Sequence, residues 1–199
     1  MSSPSEIETC EVLRQDQCSI LRLLSNDGQN RLTLDRIRRL SLVVRELATE
    51  KRPLIITGNQ RFFSSGADLN EITSLNSSKA LQFARTGQQF MTLIAEFPAP
   101  TIAAISGYCM GGGLDLALSC RWRVASRSAV FGHRGAALGL ITGWGGTQRL
   151  PKTVGFPSAL SAFVQAEKFN SDSALAMGLV HEIAADPVAA SLMRMQSFK

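Results

Sequence analysis

The sequence predicts an α/β fold, and both its pattern and its composition support that class. Short apolar runs that suit buried strands alternate along the chain with segments of helical periodicity. Apolar residues make up 45% of the 199 residues and charged residues 19%, which excludes a disordered chain and a coiled coil. We therefore expect one domain with its own hydrophobic core.

The first half of the chain predicts a hairpin, a helix and a buried strand. Two alternating runs around a polar break at residues 15–17 are typical of a hairpin. Thr33 stands before apolar residues at helical spacing and can cap that helix. The predicted elements are a hairpin over residues 11–24, a helix that follows Thr33, a strand over 53–57, a loop over 58–68, and a helix over about 79–96 capped by Ser77 or Ser78.

The second half of the chain alternates strands and helices in the same way. The apolar run that begins at Pro100 indicates a strand buried on both faces. The predicted elements are strands over 100–105, 122–125, 129–131 and 179–183, helices over 114–119, 159–165 and 172–177, and a glycine-rich turn over 143–151.

Charge and cysteine usage narrow the function classes. Lys and Arg number 21 against 16 Asp and Glu, and the excess is spread along the chain, so we expect phosphate-bearing small molecules rather than nucleic acid as partners. Four cysteines without a CxxC pair and only two histidines predict no metal site. The N-terminus lacks a signal segment, and the longest uncharged run, residues 97–114, contains prolines and glycines. We therefore expect a cytoplasmic protein with no membrane segment.

Two glycine-bearing loops follow buried strands and precede helices. They are Arg61–Leu69 and Ser106–Asp115. Glycine lets a ligand approach backbone N–H groups closely, and the N-terminus of a helix favours negative charge. Two such loops from adjacent strands can direct two N–H groups at one developing oxyanion. The alternative is that the glycines only allow tight strand–helix turns.

Four segments in order resemble the enoyl-CoA hydratase/isomerase superfamily, the crotonase fold. They are FFSSGADLNEI at 62–72, AAISGYCMGGGLDLA at 103–117, GWGGTQRL at 143–150 and AMGLV at 176–180. The resemblance covers about residues 11–183. It implies a ClpP/crotonase-like spiral of ββα units that acts on acyl-CoA thioesters.

The resemblance also implies positions for the binding site. The thioester oxygen lies between the N–H groups of Ala67 and Gly112, and coenzyme A enters as part of the substrate, with no permanently bound cofactor. A homo-oligomer, trimer or hexamer, is implied, with a spiral core over 1–185 and a short helical remnant over 186–199 in place of the family's C-terminal helices. The residues implied to border coenzyme A are Ser64, Ser65, Gly66, Ala67, Asp68 and Leu69.

The acid–base positions depart from the pattern of the family's hydratases, which use two glutamates. The first position holds Asp115, which is either an acid–base group or an acid in the first turn of a helix. The second falls at Gly135, which offers no proton chemistry. His133 can act as an acid or base if it turns inward, and Arg134 can hold a substrate carboxylate. Trp144, where a small residue is usual, either closes the acyl pocket or packs the core.

These features predict a lyase or isomerase of fatty acid metabolism that resembles enoyl-CoA hydratase and stabilises a thioester enolate. Two alternatives stay open. One is a non-catalytic acyl-CoA-binding or scaffold protein. The other is a variant reaction of the superfamily, such as decarboxylation or thioester hydrolysis.

Overall fold

The computed structural model describes residues 9–196. The start of the predicted spiral core, at residues 1–8, and the end of the predicted helical remnant, at residues 197–199, lie outside the described residues. The strands are β1 Cys10–Arg14, β2 Ser19–Leu23, β3 Leu54–Thr57, β4 Phe62–Ser64, β5 Thr101–Ile105, β6 Tyr108–Met110, β7 Trp122–Ala125, β8 Val130–Gly132, β9 Phe169–Asn170 and β10 Glu182–Ile183. The helices are α1 Leu34–Thr49, α2 Leu69–Thr73, α3 Ser77–Ala95, α4 Gly112–Ser119, α5 Gly146–Val154, α6 Phe156–Gln165, α7 Ser171–Ala176 and α8 Pro187–Met195, with a 3₁₀ helix at Arg134–Leu138.

The strands form two sheets, and the chain passes between them in a repeating order. A six-stranded sheet has the order β1-β2-β3-β5-β7-β10, and a four-stranded sheet has the order β4-β6-β8-β9. Strands β2, β3, β5, β7 and β10 run parallel, whereas β1 pairs antiparallel with β2. Each of β3, β5 and β7 is followed by a strand of the smaller sheet and then by a helix. The chain therefore winds as a spiral of ββα units, and the predicted α/β class is confirmed.

Strands β3 and β5 at the centre of the six-stranded sheet are buried on both faces, which explains why they read as continuous apolar runs. Ile56 belongs to the larger core, whereas its neighbour Ile55 belongs to a smaller core on the opposite face. Helix α8 covers that smaller core with Met195. Asp186 caps this helix by accepting hydrogen bonds from two backbone N–H groups of its first turn.

Helix α1 forms where its apolar spacing predicts it. The Thr33 side chain accepts a hydrogen bond from the N–H of Arg36, so the predicted cap is confirmed. The helix packs against α3 with one apolar face, and its buried residues are Ile37, Leu40, Val44 and Leu47.

The start of α3 differs from its prediction. Asn76 caps this helix by accepting a hydrogen bond from the N–H of Lys79, and the predicted caps Ser77 and Ser78 lie in the first turn instead. Asparagine and serine are about equally good caps, so composition alone does not choose between adjacent candidates.

The glycine-rich segments hold more regular structure than predicted. The loop predicted over 58–68 contains β4, and β6 follows Gly107, because strands of three residues are too short to show alternation. The turn predicted over 143–151 becomes helix α5 from Gly146 onward, after Gly145 adopts a φ of 102°. The last predicted strand, over 179–183, is limited to β10.

The two cysteines that the sequence predicts as buried hydrophobic residues are buried in the structure. Cys109 and Cys120 are buried in the larger core, as their apolar surroundings predict.

Within residues 9–196, no group of three or more His, Cys, Asp or Glu residues is placed to hold a metal ion. None of the helices over the same range has the length and hydropathy to cross a membrane.

Candidate active site

The two glycine-bearing loops meet at one place in the fold. Strands β4 and β6 pair in parallel, so the loops that follow them leave the sheet side by side. A Cβ on Gly66 would lie 2.9 Å from the nitrogen of Gly112, and a Cβ on Gly112 would lie 3.3 Å from the nitrogen of Ala67. Only residues without a side chain allow the two backbones to approach this closely.

The N–H groups of Ala67 and Gly112 are left outside the local backbone ladder. The bridge to Leu32 uses the carbonyl of Gly66 and the N–H of Asp68, which flank Ala67 on both sides. Gly112 is the first residue of α4, where N–H groups have no partner within the helix. Both N–H groups are therefore placed to donate hydrogen bonds to a ligand oxygen.

A cavity of about 630 Å³ lies over these two loops. Gly112 and Asp115 line it on the side of α4, and Ser65, Ala67 and Leu69 line it on the side of the first loop. The remaining wall is mainly apolar and includes Ile72, Leu75, Phe83, Leu138, Leu140 and Phe163. A cavity of this size and character suits an acyl group.

The residues implied to border coenzyme A divide into two groups. Ser65, Ala67 and Leu69 line the cavity. Ser64 is buried, donates its hydroxyl to the carbonyl of Asn30 and accepts from the N–H of Gly66, so it holds the loop. Asp68 also has a structural role, because it caps α2 with its carboxylate.

Trp144 both packs the core and closes the cavity, so the two predicted alternatives coincide. Its side chain is 2% exposed, its Nε1–H donates to the carbonyl of Phe83 at 3.3 Å, and the two rings lie 5.0 Å apart. A Cβ on Gly87 would lie 2.2 Å from the indole, and one on Gly112 would lie 2.3 Å from it. The indole therefore lies in contact with both glycines.

Asp115 lies in the first turn of α4, which is one of its two predicted alternatives, and its side chain also lines the cavity. Its side chain is fully buried, and that burial raises its pKa to about 7. Thr142 donates a hydrogen bond to Oδ2, and Arg149 lies close enough to oppose the rise. Near neutral pH, both the neutral acid and the carboxylate of Asp115 are populated.

His133 does turn inward, and it faces Asp115. Its Nε2 lies 3.4 Å from Oδ1 of Asp115, off the line that a hydrogen bond requires, and neither atom has another hydrogen-bond partner in the described chain. Burial lowers the pKa of His133 to about 4, and the ring packs 5.1 Å from that of Phe163. Because β6 and β8 are parallel neighbours, the residues that follow them come together.

Gly146 and Gly135 shape the end of the cavity near Asp115. Thr142 also contacts this carboxyl and was not identified from the sequence. A Cβ on Gly146 would lie 2.2 Å from Oδ1 of Asp115 and 3.1 Å from Cε1 of His133. A Cβ on Gly135 would lie 2.7 Å from the carbonyl oxygen of Leu140, so this backbone has no room for an acid there. Thr142 was missed because only the tertiary fold brings it to a carboxylate 27 residues earlier.

Comparisons with known proteins support one family. The family model described as enoyl-CoA hydratase/isomerase matches residues 19–195. A probable enoyl-CoA hydratase of Bacillus subtilis is 40% identical over 171 residues, which cover 84% of this chain and 66% of that protein. The mitochondrial methylglutaconyl-CoA hydratase of Mus musculus is 38% identical over 159 residues, which cover 78% of this chain and 51% of that protein. The chain therefore spans between about half and two thirds of the length of such curated relatives.

Solved structures share the whole spiral. Pseudomonas aeruginosa DspI has a TM-score of 0.91 at 30% identity, covering 98% of this chain and 82% of that one. An enoyl-CoA hydratase of Bacillus anthracis has a TM-score of 0.90 at 26% identity, covering 96% of this chain and 76% of that one. The crotonase-like spiral that the resemblance implied is thus confirmed. With a family match across most of its length and this fold around the paired glycine loops, the chain belongs to the enoyl-CoA hydratase/isomerase family.

Proposed function

We propose that the protein binds an acyl-CoA thioester and stabilises its enolate with the N–H groups of Ala67 and Gly112. The close contact of the two glycine loops beneath the cavity carries this proposal. When the enolate forms, negative charge gathers on the thioester oxygen. Two fixed N–H donors in an apolar cavity stabilise that charge more strongly than water does.

The reaction that this site supports best is hydration of an enoyl thioester by a single carboxylate. The water oxygen bonds to C3, and the electrons of the C2–C3 double bond move to the thioester oxygen. The carboxylate of Asp115 takes one proton from the water and delivers it to C2, which restores the carboxylate. The buried position of Asp115 in the cavity wall supports this role.

A non-catalytic acyl-CoA-binding role is the second candidate. Gly135 supplies no second acid, and its surroundings leave no room for one without movement of the backbone at Leu140. A site that keeps the two N–H donors and one buried carboxyl can bind a thioester without turning it over. A variant reaction such as decarboxylation or thioester hydrolysis uses the same two donors.

Turnover of crotonyl-CoA separates these candidates. Loss of the enoyl absorbance, with the 3-hydroxyacyl product confirmed by mass, supports hydration. The variant Asp115→Asn keeps the shape of the side chain and is expected to lower kcat by about a hundredfold or more. Asp16→Asn, at an exposed position on the hairpin, is the matched control and should leave the rate unchanged.

The oxyanion contact has its own test, which needs no substitution. A saturated acyl-CoA thioester is compared by calorimetry with the S-alkyl-CoA thioether that lacks the carbonyl. Two lost hydrogen bonds predict binding weaker by about 5–100-fold for the thioether. Equal affinities would refute the two-donor site. Binding of the thioester without turnover of any tested compound would support the non-catalytic candidate.

The assembly of the protein is also a proposal. We propose that it forms a homo-oligomer, a trimer or hexamer, as the family resemblance implies. Light scattering on the purified full chain measures this directly, and a monomer at micromolar concentration would refute it.

A further inference from the structure

We propose that His133 and Asp115 act as one coupled unit, in which the tautomer of the imidazole follows the protonation state of the carboxyl and holds it in place in both states. The effect of this coupling on the pH–rate profile rests on the proposed function, whereas the coupling itself does not. In this reading His133 is a positioning residue for the carboxyl.

The geometry of two facing atoms carries the proposal. Nε2 of His133 and Oδ1 of Asp115 lie 3.4 Å apart, both are buried, and neither has a hydrogen-bond partner elsewhere in residues 9–196. Two bare acceptors in this position would repel each other, and each would carry the full cost of an unpaired buried group. A proton between the two atoms removes both costs, and a small reorientation of either side chain brings the pair onto the line of a hydrogen bond.

Two arrangements put a proton between the two atoms while the imidazole stays neutral. When Asp115 is neutral, its O–H donates to Nε2, and the imidazole carries its own proton on Nδ1. When Asp115 is ionised, the imidazole carries its proton on Nε2 and donates it to Oδ1. The pair holds two protons in the first state and one in the second, and the imidazole stays neutral in both.

The surroundings favour a neutral imidazole. Burial lowers the pKa of His133 to about 4 and raises the pKa of Asp115 to about 7, so the carboxyl titrates while the ring does not. Helix α5 contributes Arg149, which donates to the carbonyl of Trp144 and whose charge favours the carboxylate of Asp115. Strand β6 contributes the Cys109 thiol, whose pKa burial raises well above its usual value. Helix α6 packs the Phe163 ring against His133.

Gly146 makes the contact possible, which argues that the pairing is built into the fold. A Cβ there would overlap the space of Oδ1 of Asp115 and press on the edge of His133. Thr142 fixes the other carboxyl oxygen by donating to Oδ2. Thr142 thus holds one oxygen of the carboxyl and His133 faces the other. Of these two residues, His133 is the one that can move its proton from one ring nitrogen to the other.

The coupling can be measured by NMR of the full chain labelled with ¹⁵N-histidine, because the sequence contains only two histidines. His181 is an internal reference, since its Nδ1 accepts the N–H of Arg123 and so fixes the proton on Nε2. In the wild-type protein we expect the ¹⁵N shifts of His133 to show a proton on Nδ1 at low pH and on Nε2 at high pH. The midpoint of this change should lie near pH 7. In Asp115→Asn this change should be absent.

Two results would overturn the proposal. One is a His133 that protonates to imidazolium near its usual pKa of about 6.5. The other is a single tautomer from about pH 5 to about pH 9 in the wild-type protein, where no substitution complicates folding. Neither readout requires turnover, so a protein that fails to hydrate crotonyl-CoA still decides the question.

Activity provides a second arm if hydration is observed. In His133→Gln the side-chain amide can donate its N–H to the carboxylate or, after a flip, accept the carboxyl O–H on Oε1, so the midpoint of the pH–rate profile should stay close to that of the wild type. In His133→Leu no donor remains, and the midpoint should move to higher pH. A purely structural histidine would change thermal stability in both variants and leave the midpoint in place.

Discussion

Replacing Trp144 by alanine tests whether the indole sets the length of the acyl group. The indole is buried and lies against both Gly87 and Gly112, and Gly112 carries one of the proposed oxyanion donors. Its removal opens space that is continuous with the cavity beside the position proposed for the thioester. The variant should therefore accept acyl chains that extend toward Gly87.

The size of the effect follows from apolar burial. Each methylene moved from water into an apolar space contributes about 0.8 kcal/mol, so two methylenes contribute about 1.6 kcal/mol, or roughly 15-fold in affinity. Truncating a buried tryptophan also costs about 3–5 kcal/mol of unfolding free energy, because the surrounding residues relax only partly. Trp144→Phe keeps a ring near Phe83 and should show a smaller change in both quantities.

The assay compares saturated acyl-CoA thioesters of increasing chain length by calorimetry or competition. The ratio of affinities for a longer and a shorter chain should rise by about 15-fold in Trp144→Ala relative to the wild type, for a difference of two methylenes. Trp122→Ala is the matched control, because Trp122 packs against His181 away from the cavity. An unchanged ratio in a folded Trp144→Ala protein would refute the reasoning, as would an equal change in Trp122→Ala.

Four further predictions concern the acid–base end of the cavity. Because Asp115 must be ionised to take a proton from water and its pKa is about 7, kcat/KM should fall as the pH drops below about 7, and a profile flat down to about pH 5 would contradict this. The folded state also holds that proton more tightly than the unfolded chain does, so the free energy of unfolding should decline as the pH rises from the usual pKa of 3.8 to about 7. Urea unfolding should show this decline in the wild type and not in Asp115→Asn. Gly146→Ala should lower activity by displacing the carboxyl, whereas Gly143→Ala, whose Cβ would meet its nearest neighbour only at 3.8 Å, should not; equal rates in the two variants would count against the packing argument. Gly135→Glu should lower the melting temperature without raising kcat, since its Cβ would lie 2.7 Å from the carbonyl oxygen of Leu140, and a faster variant would show that the backbone there moves freely.

The fold could be predicted from sequence where an element is long enough to repeat its pattern. The sixteen residues of α1 show their apolar face and their cap, and the prediction holds at Thr33. Strands β4 and β6 have three residues each, so alternation has no room to appear. The sequence predicts a turn where α5 begins, because Gly143 and Gly145 precede the helix and Gly146 is its first residue, and glycines weaken a helix and are typical of turns.

The positions in the site could be predicted only as far as they follow from parallel strands and from the family resemblance. The loops after β4 and β6 lie together because those strands pair, and the sequence placed Ala67 and Gly112 on them. Thr142 and Gly146 were not identified, because their contacts with Asp115 depend on the path of the chain between the 3₁₀ helix and α5. Nothing in local spacing marks that path.

The departures from the two-glutamate pattern are physically connected. An aspartate is one methylene shorter than a glutamate, so a carboxyl at position 115 stays close to α4, where Thr142 and His133 reach it. Gly146 provides the space for that arrangement, and Gly135 provides the tight approach to Leu140. A side chain at position 146 would therefore reduce the room available to Asp115, Thr142 and His133. The proton chemistry that remains is concentrated on a single buried carboxyl, and its protonation depends on the residues that enclose it more than on contact with solvent.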